Sequence, residues 1–412
     1  MNESGQRQPV VYRLMLIFGL IYIVDGLVQS PLLTQPLMNF LKTQLGWGPD
    51  KTAAYISFLV IPWMVKPIYG MFSDFVPLFG YRRKSYIFIA NALASVALLS
   101  AYLVSEPARL SFLFLTASFG IAVSTTLGCA LMVENGKKLS MSGIFVNMQY
   151  MCFFGANLGA AVLGGWIAQN YGAVDGMHTA MLILGLSPLI VIVGLLFINV
   201  EEKSQLNLAG LKATFSAVVS TLKSRTFWMA ALFIFFYMFS PGFGTPLYYH
   251  MVDHLHFSQQ FIGNLAAIGA IGSVIGGNIY PYLQKRMTLK QLMITCIILG
   301  AASQASYLLL NSQTMAIVLA VINGAFGMIT LVAMLALAAE YCPDGAEGFT
   351  FAMLMSIHNL TLQASSNVGA QMYVRVFHSQ LNPLIISSAV ITLFGLLLIP
   401  LLKLGNKKAG EK

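Results

Sequence analysis

Charged residues are scarce in this sequence. Asp, Glu, Lys and Arg together make up 9% of its 412 residues, whereas an ordinary soluble domain is about one quarter charged. Hydrophobic residues make up 57%. The composition therefore excludes an ordinary soluble domain and indicates a chain whose main solvent is lipid.

Signatures of common catalytic and metal sites are also missing. The sequence contains no HExxH, no G-x-S-x-G and no Walker-type phosphate loop, so we expect neither an enzyme nor a cofactor. Its four cysteines lie in or beside different apolar stretches without metal-type spacing, which favours small core residues. The segment "HMVDHLH" (250–256) holds three histidines and an aspartate but has no second cluster, so we expect a solvated loop and no metal.

Acidic residues are few, at 14 against 23 Lys and Arg, and the net charge is +9. In a membrane chain this excess indicates contact with an anionic inner leaflet rather than binding to nucleic acid. Lys and Arg are retained in cytoplasmic loops. With the N-terminus inside, 18 of the 23 cations fall in inner segments. We therefore expect an integral protein of the cell (inner) membrane with both termini cytoplasmic.

Long apolar stretches are what the sequence has in abundance. Backbone in lipid must satisfy its own amide groups, so stretches of roughly 18 residues or more predict spanning helices. The predicted fold is an all-α membrane protein with twelve such helices. They lie near 12–38, 53–74, 84–104, 109–133, 142–169, 179–200, 227–250, 259–282, 291–310, 314–339, 349–374 and 382–402.

The longest charged connection divides these twelve spans into two sets of six. We predict an N-terminal half at 1–200, a cytoplasmic linker at 201–226 and a C-terminal half at 227–412. Two matched halves are typical of transporters.

A shift of 215 residues aligns the first span with the seventh. Gly26 then falls on Pro241, and Pro31 falls on Pro246. Interrupted helices at corresponding positions favour a transporter with a central site, although prolines also bend packed membrane helices that have no such role.

The inner end of the second span reads "GMFSDFVPLFGYRRKS". This loop resembles the cytoplasmic signature of the major facilitator superfamily, in which an acid and nearby cations latch the inner side. The resemblance implies a gating role for Asp74, Arg82 and Arg83. The alternative interpretation is that the cations only anchor the topology.

Longer stretches resemble a particular family. They are "PWMVKPIYGMFSDFVPLFGYRRKSY", "YIVDG" (22–26), "TPLYYHMVDHLHFSQQFIG" (245–263) and "CPDGAEGFTFAMLMSIHN" (342–359). Together they resemble the folate-biopterin transporter family of the major facilitator superfamily. The resemblance implies import of a pteridine or folate-like anion, coupled to a proton. We expect the chain to act as a monomer.

The fourth span departs from this family. Members carry a pair of aspartates just before its Val-Glu, whereas this chain has Thr125 and Cys129 there. Import of another bulky polar solute, such as a siderophore or a muropeptide, therefore remains an alternative function. A passive channel is a further class, which saturable flux and counterflow would exclude.

Two charged residues lie deep within predicted spans rather than at their ends, Asp25 and Lys66. A charge at the centre of a membrane helix costs roughly 2.5 to 3.5 kcal/mol, so each requires compensation. One interpretation is a permanent structural ion pair. The other is that Lys66 receives an anionic group of the substrate while Asp25 exchanges a proton, with Tyr22 stacking on a flat ring.

The eleventh span places amide side chains four residues apart. We predict Asn359, Gln363 and Asn367 to face the substrate, although hydrogen bonds between helices would explain them equally well. Asn323 in the tenth span is a further candidate.

Overall fold

The computed structural model describes residues 3–29, 31–199, 201–205, 218–340 and 347–401, and most of them lie in helices. In chain order the helices are α1 (Glu3–Val28), α2 (Pro31–Thr43), α3 (Pro49–Leu59), α4 (Ile61–Met64), α5 (Lys66–Phe75), α6 (Lys84–Ala101), α7 (Pro107–Leu139), α8 (Ser142–Asn170), α9 (Val174–Phe197), α10 (Arg225–Met238), α11 (Gly244–Asp253), α12 (Gln259–Arg286), α13 (Leu289–Ser306), α14 (Gln313–Glu340), α15 (Glu347–Arg375) and α16 (Leu381–Phe394). Short 3-10 segments follow α13 at Tyr307–Leu309 and α16 at Gly395–Leu401.

Nine helical stretches in the described part of the chain are long and apolar enough to cross a membrane. The predicted spans outside these nine are the second, the seventh and the eleventh. The second and seventh are divided into shorter helices, and the eleventh is a single 29-residue helix, α15, that carries many amides and hydroxyls.

Proline divides the stretch 53–74, which the sequence predicted as one span. Pro62 lies in the first turn of α4 and Pro67 in the first turn of α5, and these helices are separated at Val65. Proline lacks an N–H group and fits the first turn of a helix, so it starts a new helix here. The division places Lys66 at the first position of α5.

The chain forms two compact units. Unit 1 comprises Met1–Leu45 and Leu59–Phe215, and unit 2 comprises Gly46–Phe58 and Ser216–Lys412. Unit 1 has an apolar core from α1, α6, α7 and α9, and unit 2 has one from α10, α13, α14 and α15. The division at 1–200, 201–226 and 227–412 stays a prediction, and 206–217 of the predicted linker lie outside the described residues.

The first helix of each predicted half is interrupted. In unit 1, α1 runs through Gly26 to Val28, and α2 begins at Pro31. In unit 2, α10 ends at Met238 and α11 begins at Gly244, so the break there covers Pro241. Glycine at 26 permits close packing, because a Cβ there would overlap a backbone carbonyl of α8.

Candidate functional site

Lys66 lies in unit 1, where the break before α5 sets its direction. Its Nζ is 4.2 Å from the ring centroid of Trp63, which favours a cation–π interaction. The indole is buried, and its Nε1 donates a hydrogen bond to Ser118 Oγ at 3.1 Å. The ammonium is thus held over a fixed aromatic surface.

Asp25 lies near the end of α1 and is 6% exposed. Its Oδ1 accepts a hydrogen bond from Gln29 Nε2 at 2.5 Å. Asp25 and Lys66 interact electrostatically, yet among the described residues neither has a salt-bridge partner within 4.0 Å. The direct ion pair of one sequence interpretation is therefore not formed in this structure.

Tyr22 lies one helical turn before Asp25 and is also buried. Its hydroxyl interacts electrostatically with the Cys129 thiol and with Tyr150. Within the part of the chain that the structure describes, that hydroxyl makes no hydrogen bond of acceptable geometry. Cys129 also interacts with Lys66. Unit 1 thus brings together the three predicted residues Tyr22, Asp25 and Lys66, with a thiol beside them.

The predicted gating residues form a second cluster in unit 1. Arg83 is largely buried and binds two acids, Asp74 at 2.8 Å and Glu134 at 2.5 Å. Arg82 binds the other oxygen of Glu134 at 3.1 Å. The carboxylate of Glu134, near the end of α7, therefore joins the two arginines, and Lys138 approaches it at 3.4 Å.

Glu201 fixes the start of α6 beside this cluster. Its Oε1 accepts hydrogen bonds from the backbone N–H groups of Arg83 at 2.8 Å and Lys84 at 3.1 Å. The first N–H groups of a helix lack partners within the helix, and a carboxylate there also favours the helix dipole. Glu201 therefore holds the backbone from which Arg83 extends.

The amides of the eleventh span lie on α15 in unit 2. Asn367 Nδ2 donates to the Gln363 carbonyl at 2.9 Å, within the same helix. The Gln363 side chain is partly buried and has no hydrogen bond among the described residues. Of the residues Asn359, Gln363 and Asn367, Gln363 thus has its amide available to a ligand. Pro343 and Gly345 of the adjoining family stretch lie outside the described residues.

Asn323, the further candidate on α14, is already bonded. Its Oδ1 accepts from Ser303, and its Nδ2 donates to Ser306 Oγ at 3.3 Å and to the Leu319 carbonyl at 2.8 Å. These bonds fit the alternative of contacts between helices, in this case between α13 and α14.

Sequence reasoning missed Gln29, Glu134 and Glu201. Gln29 sits in a helix break, and both glutamates lie near the ends of helices, where polar residues are common and carry no obvious cost. A usable signal existed for Glu134, since an acid at the end of the fourth span faces the same side as the basic loop after the second.

A family comparison matches most of the chain. Residues 28–409 match the family model described as BT1 family. A folate-biopterin transporter of Synechocystis sp. is 28% identical over 409 residues, which cover 93% of this chain and 80% of that protein. The probable folate-biopterin transporter 2 of Arabidopsis thaliana is 26% identical, with coverage of 79% and 68%.

Solved structures match the fold. A D-xylose-proton symporter superposes with a TM-score of 0.74 at 12% identity and covers 97% of this chain and 99% of its own. The nucleoside transporter NupG gives 0.68 at 14% identity, with coverage of 95% and 98%. These structures confirm the predicted all-α major facilitator fold. The chain belongs to the BT1 family and is an integral membrane transporter, not an enzyme.

Proposed function

We propose that this protein is a secondary active transporter that imports a pteridine or folate-like organic anion together with a proton. Its relatives in Synechocystis sp. and Arabidopsis thaliana, which are named as folate-biopterin transporters, support this substrate class. The site in unit 1 supplies the two charged groups that such a reaction needs.

The observation that carries the proposal is the state of Lys66. Its ammonium lies at 4.2 Å over the Trp63 ring and has no salt-bridge partner among the described residues. A cation in lipid without a direct counter-ion is costly. A carboxylate of the cargo would provide one, and Trp63 beside it would offer an aromatic face to a flat ring.

Asp25 is the proton carrier in this proposal. It is buried close to Lys66 but bonded to Gln29, so it can gain and lose a proton without breaking an ion pair. Moving one charge through about 100 mV is worth about 2.3 kcal/mol, so a single proton per cycle sustains useful accumulation.

Tyr22 is a further proposed substrate contact in unit 1, and the amides of α15 are proposed contacts in unit 2. The buried hydroxyl of Tyr22 has no hydrogen bond among the described residues, and a polar group of the cargo would satisfy it. Gln363 offers a free amide, and Asn359 and Asn367 flank it one helical turn away on each side.

Asp74, Arg82 and Arg83 form the inner gate in this proposal. Their ion pairs with one another and with Glu134 would have to loosen when the cytoplasmic side opens. The excess of cations in the same segments supports cytoplasmic termini and a cell-membrane location. We further propose that the monomer is the transporting form.

The test is uptake of labelled folate and biopterin by proteoliposomes under an imposed pH gradient. Lys66→Ala should lose saturable uptake. Lys51→Ala is a matched control, because Lys51 also lies over a tryptophan, 4.0 Å from the Trp47 centroid, but is exposed. It should transport as the wild type does.

Three outcomes are informative. Saturable, gradient-driven uptake that only Lys66→Ala abolishes supports both the substrate class and the role of Lys66. Uptake that survives in Lys66→Ala contradicts that role. No uptake of either compound by folded, correctly oriented protein contradicts the substrate class and leads to a screen of siderophores and muropeptides.

A further inference from the structure

Asp25 and Lys66 each have a partner other than one another. The carboxylate of Asp25 is bonded to Gln29 at 2.5 Å, and the ammonium of Lys66 lies over Trp63. The two charges interact electrostatically without touching. Something must therefore hold them apart, since opposite charges in a medium of low dielectric attract strongly.

Gln29 is attached to Asp25 at two points. Besides the side-chain bond, its backbone N–H donates to the Asp25 carbonyl at 2.9 Å. Gln29 lies directly after α1, in the break before α2, and its side chain is exposed, whereas that of Asp25 is 6% exposed. The amide thus connects a buried carboxylate to the accessible break in the helix.

We infer that Gln29 is the positioning residue for Asp25. Its N–H bond turns the carboxylate away from Lys66, which keeps the ammonium available to the substrate anion and the carboxylate available to a proton. A hydrogen bond donated to a carboxylate favours the charged form. The inference rests on the proposed function, because it assigns Gln29 a part in proton coupling.

The other polar groups around Asp25 do not take this role. Within the described residues, the carboxylate has Gln29 as its side-chain hydrogen-bond donor. The titratable groups that face Asp25 or its neighbours are Lys66 from α5, Cys129 from α7, Tyr22 from α1 and Tyr150 from α8.

The test compares two substitutions that act in opposite directions. Gln29→Met keeps the length of the side chain but removes the donor, so the carboxylate of Asp25 pairs with Lys66, holds a proton less readily, and the pH at half-maximal uptake falls. Gln29→Glu places a second carboxylate beside Asp25, so that midpoint rises. A shift of roughly half a unit to one unit is expected for each. Gln44→Met is the matched control, an exposed glutamine just after α2.

The measurement is the pH profile of substrate uptake by proteoliposomes for the wild type and the three variants. Opposite shifts in the two Gln29 variants, with no shift in Gln44→Met, support the inference, because a merely structural role would not change sign with charge. Equal profiles, or shifts in the same direction, overturn it. If the wild type nevertheless shows a pH midpoint and Asp25→Asn abolishes that midpoint, proton coupling through Asp25 is still supported. Wild-type uptake that ignores both pH and the gradient overturns proton coupling and this inference together.

Discussion

Asp25 of unit 1 and Ser240 of unit 2 occupy corresponding positions in the first helices of the two halves, since 240 − 25 equals the repeat of 215. Their environments differ. Asp25 carries an ionisable carboxyl group that is bonded to Gln29, four residues along the same chain segment. Ser240 is neutral, and its carbonyl accepts a hydrogen bond from Ser365 of α15.

The bonds of Ser240 continue into a network. Its hydroxyl accepts from Gln304 Nε2 at 3.1 Å, and Gln304 Oε1 accepts from Ser388 and Thr392, each at 3.0 Å. One amide of α13 thus links the break after α10 with α16. Such bonds are worth roughly 0.6 kcal/mol each in membrane proteins.

The difference indicates that unit 1 holds the charged groups used in transport, whereas the corresponding position in unit 2 contributes to stability. Unit 1 keeps Asp25 and Lys66 close but unpaired with one another, so each can change partner during a transport cycle. Unit 2 fills the matching position with a neutral residue whose bonds tie its broken helix to two others. We therefore expect substitutions at the charged site to change coupling, and substitutions in the network to change stability.

The largest effect should come from the corresponding positions themselves. Asp25→Asn keeps the size of the side chain but removes the titratable group, so accumulation of substrate should be abolished while exchange of substrate across the membrane persists. Ser240→Ala should still accumulate substrate. Counterflow and net uptake in proteoliposomes measure the two activities. Normal accumulation by Asp25→Asn would rule out Asp25 as the proton carrier and would remove the contrast between the units.

Close backbone contact is a feature that the units share, and glycine substitutions should show it. A Cβ at Gly276 would overlap the Ala325 carbonyl, and one at Gly120 of unit 1 would overlap the Ala90 carbonyl. Gly276→Ala and Gly120→Ala should each destabilise by about 1 to 3 kcal/mol, the usual cost of overpacking.

Gly277 supplies the control for that prediction. A Cβ there would meet the Met328 side chain at 3.7 Å, an ordinary contact. Gly277→Ala should therefore leave the melting temperature unchanged or raise it slightly, since alanine is the better helix former. If Gly276→Ala melted like Gly277→Ala, the close contact between α12 and α14 would be in doubt.

Gln304 and Gln363, both in unit 2, should separate stability from substrate binding. Gln304→Ala loses three side-chain hydrogen bonds, which amounts to about 2 kcal/mol, and should lower the melting temperature by roughly 4 to 8 °C. Its KM should stay near that of the wild type. Gln363→Ala, which loses no such bond, should melt normally and raise KM. A reversal of these two phenotypes would show that the network amide is the one that binds the cargo.

Much of the fold could be predicted from the sequence, because the need to satisfy backbone groups in lipid makes long apolar stretches helical. The energetic cost of a charge in lipid likewise identified Asp25 and Lys66, and the structure places them close together in unit 1. What the sequence could not supply were partners at helix ends. Gln29 and Glu201 lie near helix ends, where a polar residue has little energetic cost and therefore does not stand out in the sequence. Only the folded chain shows what they bind.

Other details were readable in principle. Pro62 and Pro67, five residues apart, are sufficient to divide the second span, yet hydropathy alone favoured one continuous helix. The bonds of Asn323 show the opposite case, because an amide in a membrane helix looks the same in sequence whether a neighbouring helix or a ligand satisfies it.

The smallest expected effect concerns a segment that is assigned to unit 2 although it lies between α2 and α4 of unit 1 in the sequence. Tyr249 of α11 donates a hydrogen bond to the Trp47 carbonyl at 2.6 Å, and its hydroxyl lies 2.9 Å from Thr52 Oγ1 of α3. Tyr249→Phe should cost about 1 kcal/mol, and Thr52→Val less, since valine leaves no buried hydroxyl unsatisfied. Because both changes remove the same bond, Thr52→Val should add nothing to Tyr249→Phe in a double-mutant cycle of thermal unfolding. Additive losses would mean that the two hydroxyls do not share a bond, and that Tyr249 stabilises this segment through its bond to the Trp47 carbonyl.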